Sequence, residues 1–199
     1  MKKLLRELLL VGCGVLAGLP VCAQKQALFV SGATPTTSDL QITNYLAGFG
    51  FVVTHVTGPA SQTSQATGKD LVVVSSSVSS GDVAAKFREV AVPVLEWEYG
   101  IQDEMDFTPD NTASHNVTAS QTTITIVNPD HPMAAGLPAG DVVVYSTPSS
   151  VDWGANYASS AIVIATPQGQ PSQACLYGFE AGATLLSGSR TAAARRVFF

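Results

Sequence analysis

The residues most capable of chemistry lie where apolar runs end. "DLVVVSSSVSSGD" (residues 70–82) passes from Leu and Val directly into Ser75, Ser76, Ser77, Ser79 and Ser80. A buried strand that turns sharply into a helix can expose a nucleophile, provided small residues stand two before and two after it. Ser77 meets that condition formally, with Ser75 and Ser79 flanking it. A serine nucleophile also needs a base within hydrogen-bond reach, usually a histidine held by a carboxylate. His55, His115 and His131 are dispersed, and no histidine follows His131. Helix capping explains the serines more simply, with Ser79 as N-cap and Asp82 reaching back three residues later.

A second group stands at the end of "VPVLEWE" (92–98). Strand alternation puts Glu96 and Glu98 on one face and Trp97 on the other. Two carboxylates beside an aromatic ring can bind a sugar or act as acid and base. They also suit a solvated strand end with Trp97 in the core. The run "IQDEMDFTPDN" gathers Asp103, Glu104, Asp106 and Asp110, but it lacks the EF-hand spacing and its glycine. It reads as a solvated acidic loop, and no metal or cofactor site is expected. Cys175, within the apolar "QACLYGFE", is expected to be a buried thiol.

Short β-branched runs must position these groups. "ALFVS" (27–31), "FVVTHVT" (51–57), "LVVVS" (71–75) and "VPVLEWE" (92–98) are continuous rather than alternating, as strands covered on both faces are. Between the first two, Ile42, Tyr45, Leu46 and Phe49 repeat at helical spacing behind Ser38 as N-cap. After the third, Val83, Phe87 and Val90 mark another helix. The second half is richer in strands, at 122–127, 141–146, 161–166, 174–180 and 195–199. The expected fold is a single three-layer α/β domain with a flavodoxin-like sheet, mostly parallel, its later strands partly antiparallel. In that order strands one, three and four are neighbours, and their carboxyl ends open onto one crevice. The expected ligand contacts are Gly32, Thr34, Ser76, Ser77 and Ser79, with Glu96 or Glu98 at the edge. Hydroxyls and helix-start amides there suit sugar hydroxyls or an anion.

The first residues, "MKKLLRELLLVGCGVLAGLPVCAQ", have the three parts of a secretory signal. Lys2, Lys3 and Arg6 make a basic start, Leu8 to Leu19 an apolar stretch, and Val21 and Ala23 a small-residue cleavage site before Gln24. Residues 1–23 are read as the signal and 24–199 as the domain, secreted or periplasmic. The rival is lipidation at Cys13 in "LVGC", which has a poor apolar lead-in. The apolar stretch is too short to span a bilayer, which takes about 20 residues. With a net charge of −5 and no basic patch, the chain excludes nucleic acid and anionic membrane as partners.

"ALFVSG", "DLVVVSSSVSSGDVAAKFREVAVPVLEWE", "NPDHPMAAGL" and "ARRVFF" resemble landmarks of class I glutamine amidotransferase-like domains. The nearest likeness is to the trehalose-utilisation (ThuA-like) branch, including secreted domains of bacterial surface proteins. The resemblance implies a flavodoxin-like sheet, and usually a further helix beyond the last strand; with the sequence stopping at Phe199, the expectation is either a truncated chain or a domain without that cover. In such families a cysteine serves as nucleophile and a histidine follows near the chain's end; "CLYGFEAGATLL" offers only Glu180. The reading is therefore a non-catalytic binding or surface-interaction domain for a carbohydrate or small polar ligand. The alternative is a carbohydrate-processing hydrolase using Glu96 and Glu98.

Overall fold

The computed structural model describes residues 24–199; residues 1–23, read from the sequence as an export signal, and with them Cys13, lie outside the described residues. Strand β1 (Lys25–Ser31) is followed by helix α1 (Thr37–Gly48) and strand β2 (Phe51–Thr57). Strand β3 (Leu71–Val74) leads into the one-turn helix α2 (Ser80–Val83), and β4 (Val94–Glu96) follows. The second half contributes β5 (His115–Gln121), β6 (Thr123–Ile126), β7 (Gly140–Val143), β8 (Ser149–Gly154), β9 (Ile162–Pro167), β10 (Leu176–Phe179) and β11 (Arg196–Phe198).

Nine of these strands form one mixed sheet in the order β2-β1-β3-β4-β11-β10-β9-β6-β7. The first five are mutually parallel, in the doubly wound order expected of a flavodoxin-like sheet. Antiparallel pairing then carries the sheet through β10, β9, β6 and β7, so that only β10 and β6 run against the rest. Each of the nine apolar runs singled out in the sequence supplies one of these strands. For the central strands the physical reason is burial on both faces: Ala27, Leu28, Phe29 and Val30 are all fully buried, alternately beneath α1 and on the opposite side, whereas the edge strands β2 and β7 are not covered on both faces as the continuous runs suggested. Residues without a polar face have no alternative placement in a sheet of this kind.

The layers over the sheet depart from expectation. On one face α1 is a regular helix, and it packs Ile42 and Leu46 against Phe29 and Val73. Its N-cap is Thr36, not Ser38; Thr36 and Asp39 close a complete capping box. On the other face Val83, Phe87 and Val90 are buried as their spacing predicts, but not on a long helix. Ala84 has φ +43°, which interrupts α2, and a 3-10 turn carries Ala84–Phe87. Ser79 occupies the N-cap position of α2 without making the side-chain bond expected of it. The third layer is therefore short turns rather than helices.

Two strands are not predicted from the sequence. β5 and β8 form a separate antiparallel ribbon, whose polar outward residues leave no apolar run to detect. One buried cation secures the middle of the sheet. Arg196 is fully buried and donates from Nη2 to the carbonyls of Arg88 and Val90 and from Nη1 to that of Val92. It thereby fixes the loop before β4 to β11. No helix among the described residues is long and apolar enough to cross a membrane.

Candidate functional site

A cleft of about 640 Å³ opens at the carboxyl ends of β3 and β4. In a doubly wound sheet this is where loops from neighbouring parallel strands diverge and leave room for a ligand. One wall is the start of α1, with Thr36, Ser38, Asp39 and Ile42; Ser75, Ser76 and Ser77 line the floor behind β3. Trp97 closes the end of β4; Tyr145 follows β7, Ser150 and Asp152 come from β8, Leu176 from β10, and Phe199 follows β11.

A hydrogen-bond chain holds the first wall in place. Gly32 N donates to Ser77 Oγ at 3.0 Å, and Ser77 N donates to Ser75 Oγ at 3.1 Å. Ser75 Oγ then donates to Asp39 Oδ1 at 2.5 Å. Asp39 Oδ2 accepts from Thr36 N at 2.7 Å and from Thr36 Oγ1 at 2.9 Å. The loops after β1 and β3 are thus tied through one buried carboxylate. Burial alone would raise the pKa of Asp39, but the bonds from Ser75, Thr36 and Ser77 outweigh it and hold the carboxyl below its usual range. Gly32 is required sterically, because a Cβ there would lie 2.5 Å from the Ser77 carbonyl oxygen.

The sequence candidates divide by this geometry. Ser76 and Ser77 line the cleft. Ser77 is occupied by Gly32, whereas exposed Ser76 makes no side-chain hydrogen bond among the described residues. Gly32 stands behind the wall, and Thr34 and Ser79 are exposed positions off it. Glu96 and Glu98 are also absent from the wall; Trp97 takes the cleft side of β4. Strand alternation correctly separates Trp97, which packs 6.4 Å from the Phe29 ring, from the two carboxylates.

Those carboxylates occupy a buried acidic pocket on the other face. Glu96 is fully buried; its Oε2 accepts from Glu98 N at 3.1 Å, and its Oε1 has no partner. Burial pushes its pKa well above the usual carboxylate range, and the charges of Glu98, Asp152 and Glu104 push the same way. Glu98 accepts from Gly100 N at 3.0 Å, and burial raises its pKa to about 7. Asp152, reaching the cleft from β8, is raised by burial to about 6. Beneath them Tyr177 Oη donates to Gln102 Oε1 at 2.5 Å.

Sequence reasoning missed Asp39, Tyr145 and Asp152, and weighed Trp97 as a sugar contact only together with Glu96 and Glu98. The Thr36-x-x-Asp39 spacing was a usable capping signal. Nothing local connects Tyr145 or Asp152 to β4. The acidic loop also draws together: Asp103, Asp110 and His115 bring one ligand atom each within 4.8 Å of the others, while His115 Nδ1 is engaged at 3.1 Å by Thr108 Oγ1. These are the residues best placed to hold a cation, and they lie off the cleft wall. Cys175 is buried as expected, and burial pushes its thiol up to about 12.

No family model matches the sequence, and no curated protein matches it. Solved structures do. A protein described as a GMP synthase component from Thermoplasma acidophilum is similar over 77% of this chain and 77% of its own, with a TM-score of 0.53 and 15% identity. PurLQS from Thermotoga maritima is similar over 73% of this chain and 75% of its own, with a TM-score of 0.44 and 14% identity. With its parallel 2-1-3-4 core and the first of these likenesses, the chain has the α/β fold of the class I glutamine amidotransferases.

Proposed function

We propose that the chain is a secreted binding module that holds a small polar ligand of carbohydrate class in the cleft, without covalent chemistry. The observation that carries this reading is the composition of the cleft wall. Hydroxyls of Thr36, Ser38, Ser76 and Ser150 face an enclosure that also presents the rings of Trp97 and Tyr145. Sugar recognition uses this combination, with hydroxyls and carboxylates for the ring oxygens and an aromatic face for the ring's apolar side. Nothing on that wall supplies an activated nucleophile. No histidine lines it, and a thiol held near 12 is not a thiolate at neutral pH.

Glu96 and Glu98 are poor candidates for a hydrolytic pair on the same grounds, since neither reaches the cleft wall. Secretion rests on residues 1–23, whose basic start, apolar stretch and Val21/Ala23 pair fit a cleaved signal. The trehalose-utilisation likeness supports a carbohydrate ligand in the same way, through sequence landmarks alone.

Isothermal titration of the mature chain with mono- and disaccharides, alongside a turnover screen with glycoside and ester substrates, tests the proposal. Saturable binding without turnover is expected. Turnover abolished by Glu98→Gln would replace the binding reading with the hydrolase. Intact mass of the exported protein should give Gln24 as the first residue; a lipidated chain beginning at Cys13 would move it to a membrane surface.

A further inference from the structure

The geometry points to an amine-bearing sugar as the ligand of this cleft, with Asp152 holding the protonated amine and Trp97 and Tyr145 flanking the ring. This rests on the binding reading above and adds the charge of the ligand. The wall carries Asp39 and Asp152 but no lysine, arginine or histidine. An anionic ligand would be desolvated against like charge with no compensating cation, which is strongly unfavourable. A phosphorylated or acidic sugar therefore does not fit.

The two carboxylates are not equivalent. Asp39 already accepts three hydrogen bonds, from Thr36 N, Thr36 Oγ1 and Ser75 Oγ, so its oxygens are committed to the protein. The Asp152 carboxylate makes no hydrogen bond and no ion pair among the described residues, although it is half-buried and charge-coupled to Glu96 and Glu98 behind it. Half-burial removes part of the carboxylate's hydration with no protein partner in exchange. A cation delivered by the ligand would supply the missing partner and offset that cost.

Asp152 is also rigidly placed. Its backbone pairs with Val117 across the β5–β8 ribbon, and its neighbours Val151 and Trp153 are buried. The Tyr145 hydroxyl, like the Ser76 hydroxyl, makes no hydrogen bond within the described chain and remains available to ring hydroxyls. Aromatic faces beside a carboxylate favour an ammonium group twice, by charge and by cation–π attraction. The cleft volume of about 640 Å³ falls in the range of small-molecule sites, roughly 300–1,000 Å³, and is far larger than a bare cation needs.

The test is a calorimetric panel at pH 7.5 and low salt on the unaltered mature chain, with glucosamine, glucose, N-acetylglucosamine, glucose 6-phosphate and cyclohexylamine. Glucosamine should bind at least tenfold more tightly than each of the others. Asp152→Asn should bring glucosamine down to the level of glucose. Equal affinity for glucose and glucosamine would overturn the amine assignment and leave the sugar reading standing. Cyclohexylamine binding as tightly as glucosamine would overturn the sugar half. Preference for glucose 6-phosphate would overturn the charge argument. If none of the sugars binds, the reading of the cleft itself fails along with this one. The panel decides without the variant, should Asp152→Asn not fold.

Discussion

Replacing Glu96 by Gln should make the protein's stability less sensitive to alkali. Glu96 is fully buried beside Tyr177, with Oε2 bonded to Glu98 N and Oε1 unpartnered. Burial raises its folded pKa well above 4.5, the value of a free side chain. The folded state therefore keeps a proton that the unfolded chain releases. Proton linkage then has a definite sign: stability is fully present below the unfolded value and is lost as pH rises toward the folded one. Each pH unit within that window costs about 1.4 kcal/mol. From pH 5 upward the wild type should therefore lose stability relative to Glu96→Gln, which carries no such proton. Glutamine preserves the acceptor for Glu98 N and places its amide where Oε1 already lacks a partner, so the two proteins should differ little at pH 5. Glu98 and Asp152, raised to about 7 and about 6, add to the slope of both proteins and cancel in the difference. Urea denaturation of both proteins at pH 5, 6, 7 and 8 measures it directly. A difference that stays flat across those four pH values would refute the buried-proton account.

Arg196→Met should destabilise by at least about 3 kcal/mol, because it strands the carbonyls of Arg88, Val90 and Val92 that the guanidinium holds; thermal unfolding tests this, and a loss under 1 kcal/mol would contradict it. Asp39→Ala should cost about 2 kcal/mol through the lost cap and the lost Ser75 bond. Because the folded pKa of Asp39 is lowered, that contribution should be present above pH 3.8, the ordinary value for Asp, and should fade as acid protonates the carboxylate. Ser76→Ala should weaken ligand binding by about 1 kcal/mol without changing stability, whereas Ser77→Ala should lower both, since Ser77 also anchors Gly32; titration calorimetry beside thermal melts separates the two effects.

The strand content was legible from residues 24–199 alone. Runs such as Ala27–Val30 and Val72–Val74 have no polar face, so they must be central strands, and their order along the chain limits how they can pair. The same logic separated Trp97 from Glu96 and Glu98, because alternation along a strand is a local property. The layer over β3 was only half legible. The spacing of Val83, Phe87 and Val90 reports burial, but burial is satisfied as well by α2 and a 3-10 turn as by one long helix. The β5–β8 ribbon was not legible, since its outward residues are polar.

The cleft was decided by tertiary structure. Its neutral hydroxyls follow β3 and could be anticipated from "SSSVSSG". Its charge could not, because Asp152 arrives from β8, far along the chain, and the unpaired state of its carboxylate depends on what every other element leaves uncovered. Asp39 likewise becomes part of the wall only because Ser75 reaches it across 36 residues of sequence. Local pattern determines which residues are apolar enough to be strands. Long-range pairing determines which polar groups remain without partners, and in the described residues of this protein the Asp152 carboxylate and the Ser76 and Tyr145 hydroxyls are among them.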